Sequence, residues 1–281
     1  TMCGIVGYAG NIETACGKPL EVCLQGLERL EYRGYDSAGV ALTAPGMDKV
    51  VVRKKAGRLK NLVEDIERKP MPLATVGIGH TRWATHGRPS EVNAHPHVAG
   101  PVAVVHNGII ENHVALRAEL RAAGCEILSD TDTELVAHLV RREVDAGQNL
   151  ETAVRRSLGR LHGAYAIAVL SSLEPGRIVV AKHSSPLVLG IGEGATYCAS
   201  DVPALLPYTR NMLFMEDGEM AVLEAGGVTV TTVAGAPVQR AVQRIDWSPA
   251  MAEKAGYKHF MLKEIFEQPR ALEDTFRGRL D

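Results

Sequence analysis

Residues 4–9 are apolar on both faces, which predicts a short, fully buried strand at the start of the chain. Leu20, Cys23, Leu24, Leu27 and Leu30 then recur at helical spacing and predict a helix over about residues 19–29. Residues 40–43 and 50–53 read as a strand pair around the Pro45-Gly46 turn. A short helix over 59–67 and a buried strand over 73–81 follow. Residues 82–100 are polar, rich in His and Pro, and fit neither period. They predict a long loop, and loops of that length tend to carry function.

After a strand at 102–105, helical patterning covers 112–123, 133–146 and 150–158. Strands are predicted at 164–170, 178–181, 187–191, 220–223 and 228–233. Strands, then helices, then strands again is not the alternation of a doubly wound sheet, and it predicts an α+β fold. No repeat, low-complexity tract or Gly/Ser linker divides residues 3–245, which read as one domain. Residues 246–281 read as a following helical segment with an apolar face (Phe260, Ile265, Phe266, Leu272, Phe276). Such a face with nothing after it implies a piece of a longer chain.

Composition works by exclusion. The hydrophobic share is 46% and the charged share 23%, as in an ordinary globular protein. A net charge of −2 gives no footprint for nucleic acid or an anionic membrane. No apolar run nears the roughly 18 residues of a membrane span, and Thr1-Met2-Cys3 begins no signal peptide. The five cysteines form no CxxC pair and no disulfide framework, so free thiols in a reducing cytoplasm are expected.

Four segments carry candidate chemistry. Cys3 lies in a buried first strand, where a thiol is ordinarily an inert small hydrophobe. It also follows Met2 directly, so removal of the preceding residues would give it a free α-amine. With a reference pKa of about 7.7–8.0, that amine can serve as the thiol's own base. Thr1 is a rival terminal nucleophile, although it precedes a Met. In His80-Thr-Arg-Trp-Ala-Thr-His-Gly87 a strand runs into the long loop. Arg82 there could grip a carboxylate, Thr85 and His86 add hydrogen-bonding groups, and Trp83 is either a lid or a surface anchor. His106-Asn107-Gly108 is either an Asn-Gly turn or an oxyanion hole made from the Asn107 amide and the Gly108 N–H. Thr131-Asp132-Thr133-Glu134 is a helix cap, with a second use of Asp132 against an ammonium left open. His80, His86, His95, His97, His106 and His113 cluster in sequence but match no zinc spacing, so neither metal nor cofactor is expected. The glycines of residues 190–194 lack the Lys-Ser/Thr of a phosphate loop and read as a turn.

Taken together, the chain resembles the class II, N-terminal-nucleophile glutamine amidotransferases, and among them the branch whose second half is a sugar-phosphate isomerase. The resemblance rests on Cys3-Gly-Ile-Val-Gly7, Leu30-Glu-Tyr-Arg-Gly-Tyr-Asp-Ser-Ala-Gly39, His80 to Gly87, Val92-Asn-Ala-His-Pro-His97 and His106-Asn-Gly-Ile-Ile-Glu-Asn112. Thr131 to Glu134, Ser185-Pro-Leu-Val188, Ala199-Ser-Asp201 and Lys263-Glu-Ile-Phe-Glu-Gln-Pro269 complete it. It implies a four-layer αββα sandwich and L-glutamine as substrate, with Cys3 as nucleophile and Asn107 and Gly108 as the oxyanion pair. It further implies Arg82 on the substrate carboxylate, Asp132 on its ammonium, Trp83 as a cover with Thr85 and His86 beside it, and Arg33 ordering the terminal Cys. The partner it implies is the C-terminal pair of sugar-isomerase domains, in the cytoplasm, with no nucleic acid or membrane.

Overall fold

The computed structural model describes residues 3–11, 18–84, 87–246 and 260–276. They form two compact units, Thr1–Arg244 and Ile245–Asp281. In the first unit, all seven residues of β1 (Gly4–Gly10) are buried, as a strand apolar on both faces requires. The chain continues through α1 (Lys18–Arg29), the hairpin β2 (Ser37–Thr43) and β3 (Val51–Ala56), α2 (Leu59–Arg68) and β4 (Val76–Arg82). It then passes β5 (His97–Ala99), β6 (Val102–Ile110), α3 (His113–Ala122), α4 (Thr133–Asp145) and α5 (Leu150–Leu158). Strands β7 (Gly163–Ser171), β8 (Arg177–His183), β9 (Val188–Gly192), β10 (Ala195–Ala199), β11 (Asn211–Phe214), β12 (Glu219–Glu224), β13 (Gly227–Thr232) and β14 (Gln243–Arg244) close the unit. The second unit holds α6 (Phe260–Phe276), with Pro269 inside it.

Among the described residues the strands make two antiparallel sheets. One has eight strands in the order β14-β11-β9-β10-β1-β4-β2-β3, the other six in the order β13-β12-β8-β7-β6-β5. The two-residue period of a strand divides the core between their faces. Ile5 and Ile78 of the first sheet meet Val105, Ala168 and Leu170 of the second in one apolar cluster. The alternate residues Val104, Ile167 and Val169 point the other way, onto Leu120, Leu135, Leu139 and Val154 of α3, α4 and α5. Helix α1 covers the outer face of the eight-stranded sheet, so close that a Cβ on Gly26 would lie 2.9 Å from Val6. The layers therefore run α, β, β, α, the expected sandwich.

Two differences from the sequence reading matter. The strand expected to stop at residue 105 runs on to Ile110, so His106, Asn107 and Gly108 lie inside β6, opposite Ile167, Ala166 and Tyr165. They form no turn. Strands β5, β10, β11 and β14 have no counterpart in the patterning. Thr196, Tyr197 and Cys198 of β10 look half polar, yet all are buried between β1 and β9. Of residues 190–194, expected as a turn, Gly190 to Gly192 belong to β9 and only Glu193-Gly194 turn, closing the β9–β10 hairpin with Gly194 at φ +64°. No helix among the described residues is long and apolar enough to cross a membrane.

Candidate active site

Strand β1 lies between β10 and β4 in the eight-stranded sheet, and Gly4 pairs with Thr81. A Cβ on Gly4 would sit 2.7 Å from the Thr81 hydroxyl and 2.8 Å from Leu30, so glycine lets the start of the strand lie flush in the sheet. This places Cys3 beside the end of β4. The Trp83 N–H donates to the Cys3 sulfur at 3.2 Å, and the thiol reaches the Trp83 carbonyl at 3.6 Å. Burial pushes the thiol above its ordinary value; the Trp83 N–H and the Arg82 charge pull the other way without overcoming it.

The other sheet supplies Asn107. Its side-chain N–H donates to the Cys3 carbonyl at 2.9 Å, across 104 residues of sequence, and its Oδ1 lies 3.0 Å from His80 Nε2. Gly108, next in β6, has φ +131°, and a Cβ there would stand 2.0 Å from the Ala164 carbonyl oxygen. A backbone atom at that distance cannot swing aside. Gly108→Ala is expected to destabilise the fold by at least about 2 kcal/mol, read as a lower urea midpoint at unchanged m-value. An unaltered midpoint would show that β6 relaxes freely.

Arg82 closes β4, is 4% exposed, and donates to the Gly87 carbonyl at 3.1 Å. Burial works against its charge, while Cys3, Asp36, Asp132 and Asp130 favour it. Asp36 was not among the candidate residues, although it lies in the Leu30–Gly39 motif. Its carboxylate accepts the Ala84 N–H at 2.6 Å and its own N–H donates to the Arg82 carbonyl at 2.9 Å, which clamps the chain leaving β4. Trp83 is 46% exposed, its ring edge-on to Tyr35 at 5.5 Å. Thr85 and His86 lie outside the described residues.

Asp132 stands at the N-cap of α4, but its side chain makes no capping bond. Its carboxylate instead accepts the Ile110 N–H at 2.8 Å and lies 3.9 Å from His106 Nδ1. The capping expectation fails for Asp132. Glu134 reaches back to the N–H groups of Leu128 and Ser129 at 2.9 and 2.6 Å. Burial opposes its ionisation, yet hydrogen bonds from His138, Ser129 and Leu128 outweigh it and hold the carboxyl near 2.

Arg33 makes no hydrogen bond to Cys3. It pairs with Asp201 at 2.6 Å, and the neighbouring Ser200 exchanges hydrogen bonds with Ile5, at 3.0 Å from the Ile5 N–H to the Ser200 hydroxyl. Its reach to the start of β1 is indirect. Of the clustered histidines, four converge in a buried layer. His80 stacks on His95 at 4.1 Å; His95 and His106 flank the Thr133 hydroxyl at 2.7 and 3.0 Å; His97 meets Thr131 at 3.0 Å. His113 instead begins α3. Among the described residues no group of three or more His, Cys, Asp or Glu side chains is arranged to hold a metal.

A family model described as a glutamine amidotransferase domain matches residues 80–207. The chain is 58% identical to the glutamine–fructose-6-phosphate aminotransferase (isomerizing) of Symbiobacterium thermophilum, covering 100% of this chain and 45% of the relative. It is 49% identical to the enzyme of that name from Aquifex aeolicus, over 99% of this chain and 46% of that one. The chain thus spans a little under half the length of these relatives. Among solved structures, the glutamine phosphoribosylpyrophosphate amidotransferase of B. subtilis superposes with a TM-score of 0.69 at 26% identity, covering 82% of this chain and 49% of that one. By fold, by sequence and by the family model, the chain belongs to the class II glutamine amidotransferases.

Proposed function

We propose that the chain hydrolyses L-glutamine to glutamate and ammonia through a glutamyl thioester on Cys3. In the longer enzyme the ammonia converts fructose 6-phosphate to glucosamine 6-phosphate. The observation that carries this reading is the meeting of Cys3 with the Asn107 amide, one from each sheet, at the end of β4 where Arg82 and Trp83 stand.

The chemistry follows from the residues. Among the described residues the sulfur's hydrogen-bond partners are the backbone groups of Trp83, so no imidazole or carboxylate deprotonates it directly. The base is then the α-amine of Cys3, available once Thr1 and Met2 are removed. Thiol to amine proton transfer frees the sulfur, which bonds to the side-chain amide carbon of glutamine. The carbonyl electrons move to oxygen, and the Asn107 amide and Gly108 N–H receive that oxyanion. The protonated amine returns its proton to the leaving nitrogen, the C–N bond breaks, and ammonia departs. Water, deprotonated by the same amine, then cleaves the thioester and restores the thiol.

Arg82 binds the α-carboxylate, Asp132 the α-ammonium, and Trp83 covers the substrate with Thr85 and His86 beside it. Arg33 supports the start of β1 through Asp201. The partner that consumes the ammonia is the sugar-isomerase portion that the relatives carry beyond this chain. No role for nucleic acid or membrane enters, and the compartment is the cytoplasm.

The test is glutamate formation from L-glutamine by protein whose intact mass begins at Cys3. Within it, Arg82→Ala is expected to raise KM at least about tenfold, because a charge-assisted contact is worth roughly 1.5–3 kcal/mol. An unchanged KM would remove Arg82 from the site. One observation favours a second reading, a glutamine-binding module without turnover. With Met2 attached, the Cys3 nitrogen is an amide and no base. That form is expected to gain thermal stability from glutamine while producing no glutamate.

A further inference from the structure

An amide's oxygen and nitrogen fill nearly the same volume, so the path of β6 does not decide which end of Asn107 faces Cys3. His80 decides it. Its Nε2 lies 3.1 Å from the His106 carbonyl oxygen and 3.0 Å from Asn107 Oδ1. A carbonyl oxygen only accepts, so Nε2 carries the hydrogen, and whatever Asn107 turns toward it must accept as well. Only the oxygen satisfies that. The NH2 is thereby turned to Cys3, where it meets another acceptor, the Cys3 carbonyl at 2.9 Å.

We propose that His80, which makes no hydrogen bond to the reacting sulfur, is a positioning residue that fixes the orientation of the Asn107 amide and so keeps its N–H groups aimed at the oxyanion. This rests on the glutamine-hydrolysis reading. The ring is held for the task. His80 is 0% exposed, lies face to face with His95 at 4.1 Å, and sits on β4 directly opposite Ile5 and Gly39 of the flanking strands. Burial drives its pKa down to about 3, so the ring carries a single N–H at neutral pH. With the amide reversed, N–H would face N–H at His80 and a carbonyl oxygen would face the oxyanion. Loss of one oxyanion donor costs about 10²–10³ in kcat, and partial loss of its orientation a fraction of that.

The experiment is a double-mutant cycle on protein that begins at Cys3, with kcat and KM for glutamine as readouts. His80→Leu is expected to lower kcat about 10–100-fold with KM within about threefold. His80→Gln, whose amide places an N–H near the position of Nε2, is expected to restore kcat to within about fivefold of wild type. In an Asn107→Ala background, His80→Leu is expected to add less than about twofold, since there is no amide left to orient. Equal losses in both backgrounds, or a raised KM at unchanged kcat, overturn the inference. If His80→Leu yields no folded protein, His80→Gln still decides, because a loss as deep as that of Asn107→Ala overturns it. A wild-type protein that forms no glutamate overturns the parent reading and this inference with it.

Discussion

Cys3→Ala is expected to lower glutamate release by at least about a thousandfold while leaving the fold intact. Removing a nucleophile eliminates the covalent route, and what survives is the modest catalysis of binding and oxyanion donors. The fold should tolerate the change because Cys3 precedes β1 and, among the described residues, its sulfur's hydrogen bonds are weak ones to the Trp83 backbone. Circular dichroism and glutamate detection on the same sample check both halves. Wild-type protein retaining Thr1 and Met2 should behave like Cys3→Ala, for a different reason: its sulfur is present but its base is an amide. Turnover that survives Cys3→Ala would falsify the mechanism. Turnover with an intact Thr1-Met2 would place the base elsewhere.

The second large effect concerns acid. Burial drives His80 to about 3 and His95 well below the ordinary imidazole range. It also lowers His97, reinforced by the Lys54 charge, and His106, where Asp132 partly opposes it. Each folded value lies below the unfolded value near 6.5, so the unfolded chain binds more protons and stability rises with pH. The full stability is present above about pH 6.5 and is lost as pH falls toward about 3. At pH 5.5 His80, still neutral in the fold, costs about 1 kcal/mol relative to pH 7.5 or above. His95, His97 and His106 add in the same direction. Glu134, held near 2, stays ionised throughout this window and contributes nothing to the change. Urea unfolding at pH 7.5 and 5.5 measures the drop, and equal midpoints would mean that these rings titrate normally.

Legibility varied with the locality of the signal. Helix α5 has the ends that its pattern predicts, 150 and 158, because Asn149 caps it from its own side chain and its apolar residues repeat along one face. Strand β10 was invisible because Thr196 and Tyr197 owe their burial to β1 and β9, neighbours that the local pattern does not name. Asp36 was legible only as part of a motif. Its clamp on Ala84 joins residues 48 apart, and no period spans that gap.

By itself the sequence determined the α+β class, most of the elements and the residue types that the chemistry needs, because helix and strand periods are local and a family's motifs recur in order. The tertiary structure decided what those residues become. Sheet packing brought Asn107 to Cys3, kept Asn107 and Gly108 in a strand when their dipeptide suggested a turn, and turned Asp132 from cap to acceptor of the Ile110 N–H. It also buried His80 where one proton orients a neighbouring amide. Such contacts depend on which sheet faces which, and hydrogen-bond direction depends on every partner at once. Neither is written in the spacing of a single chain.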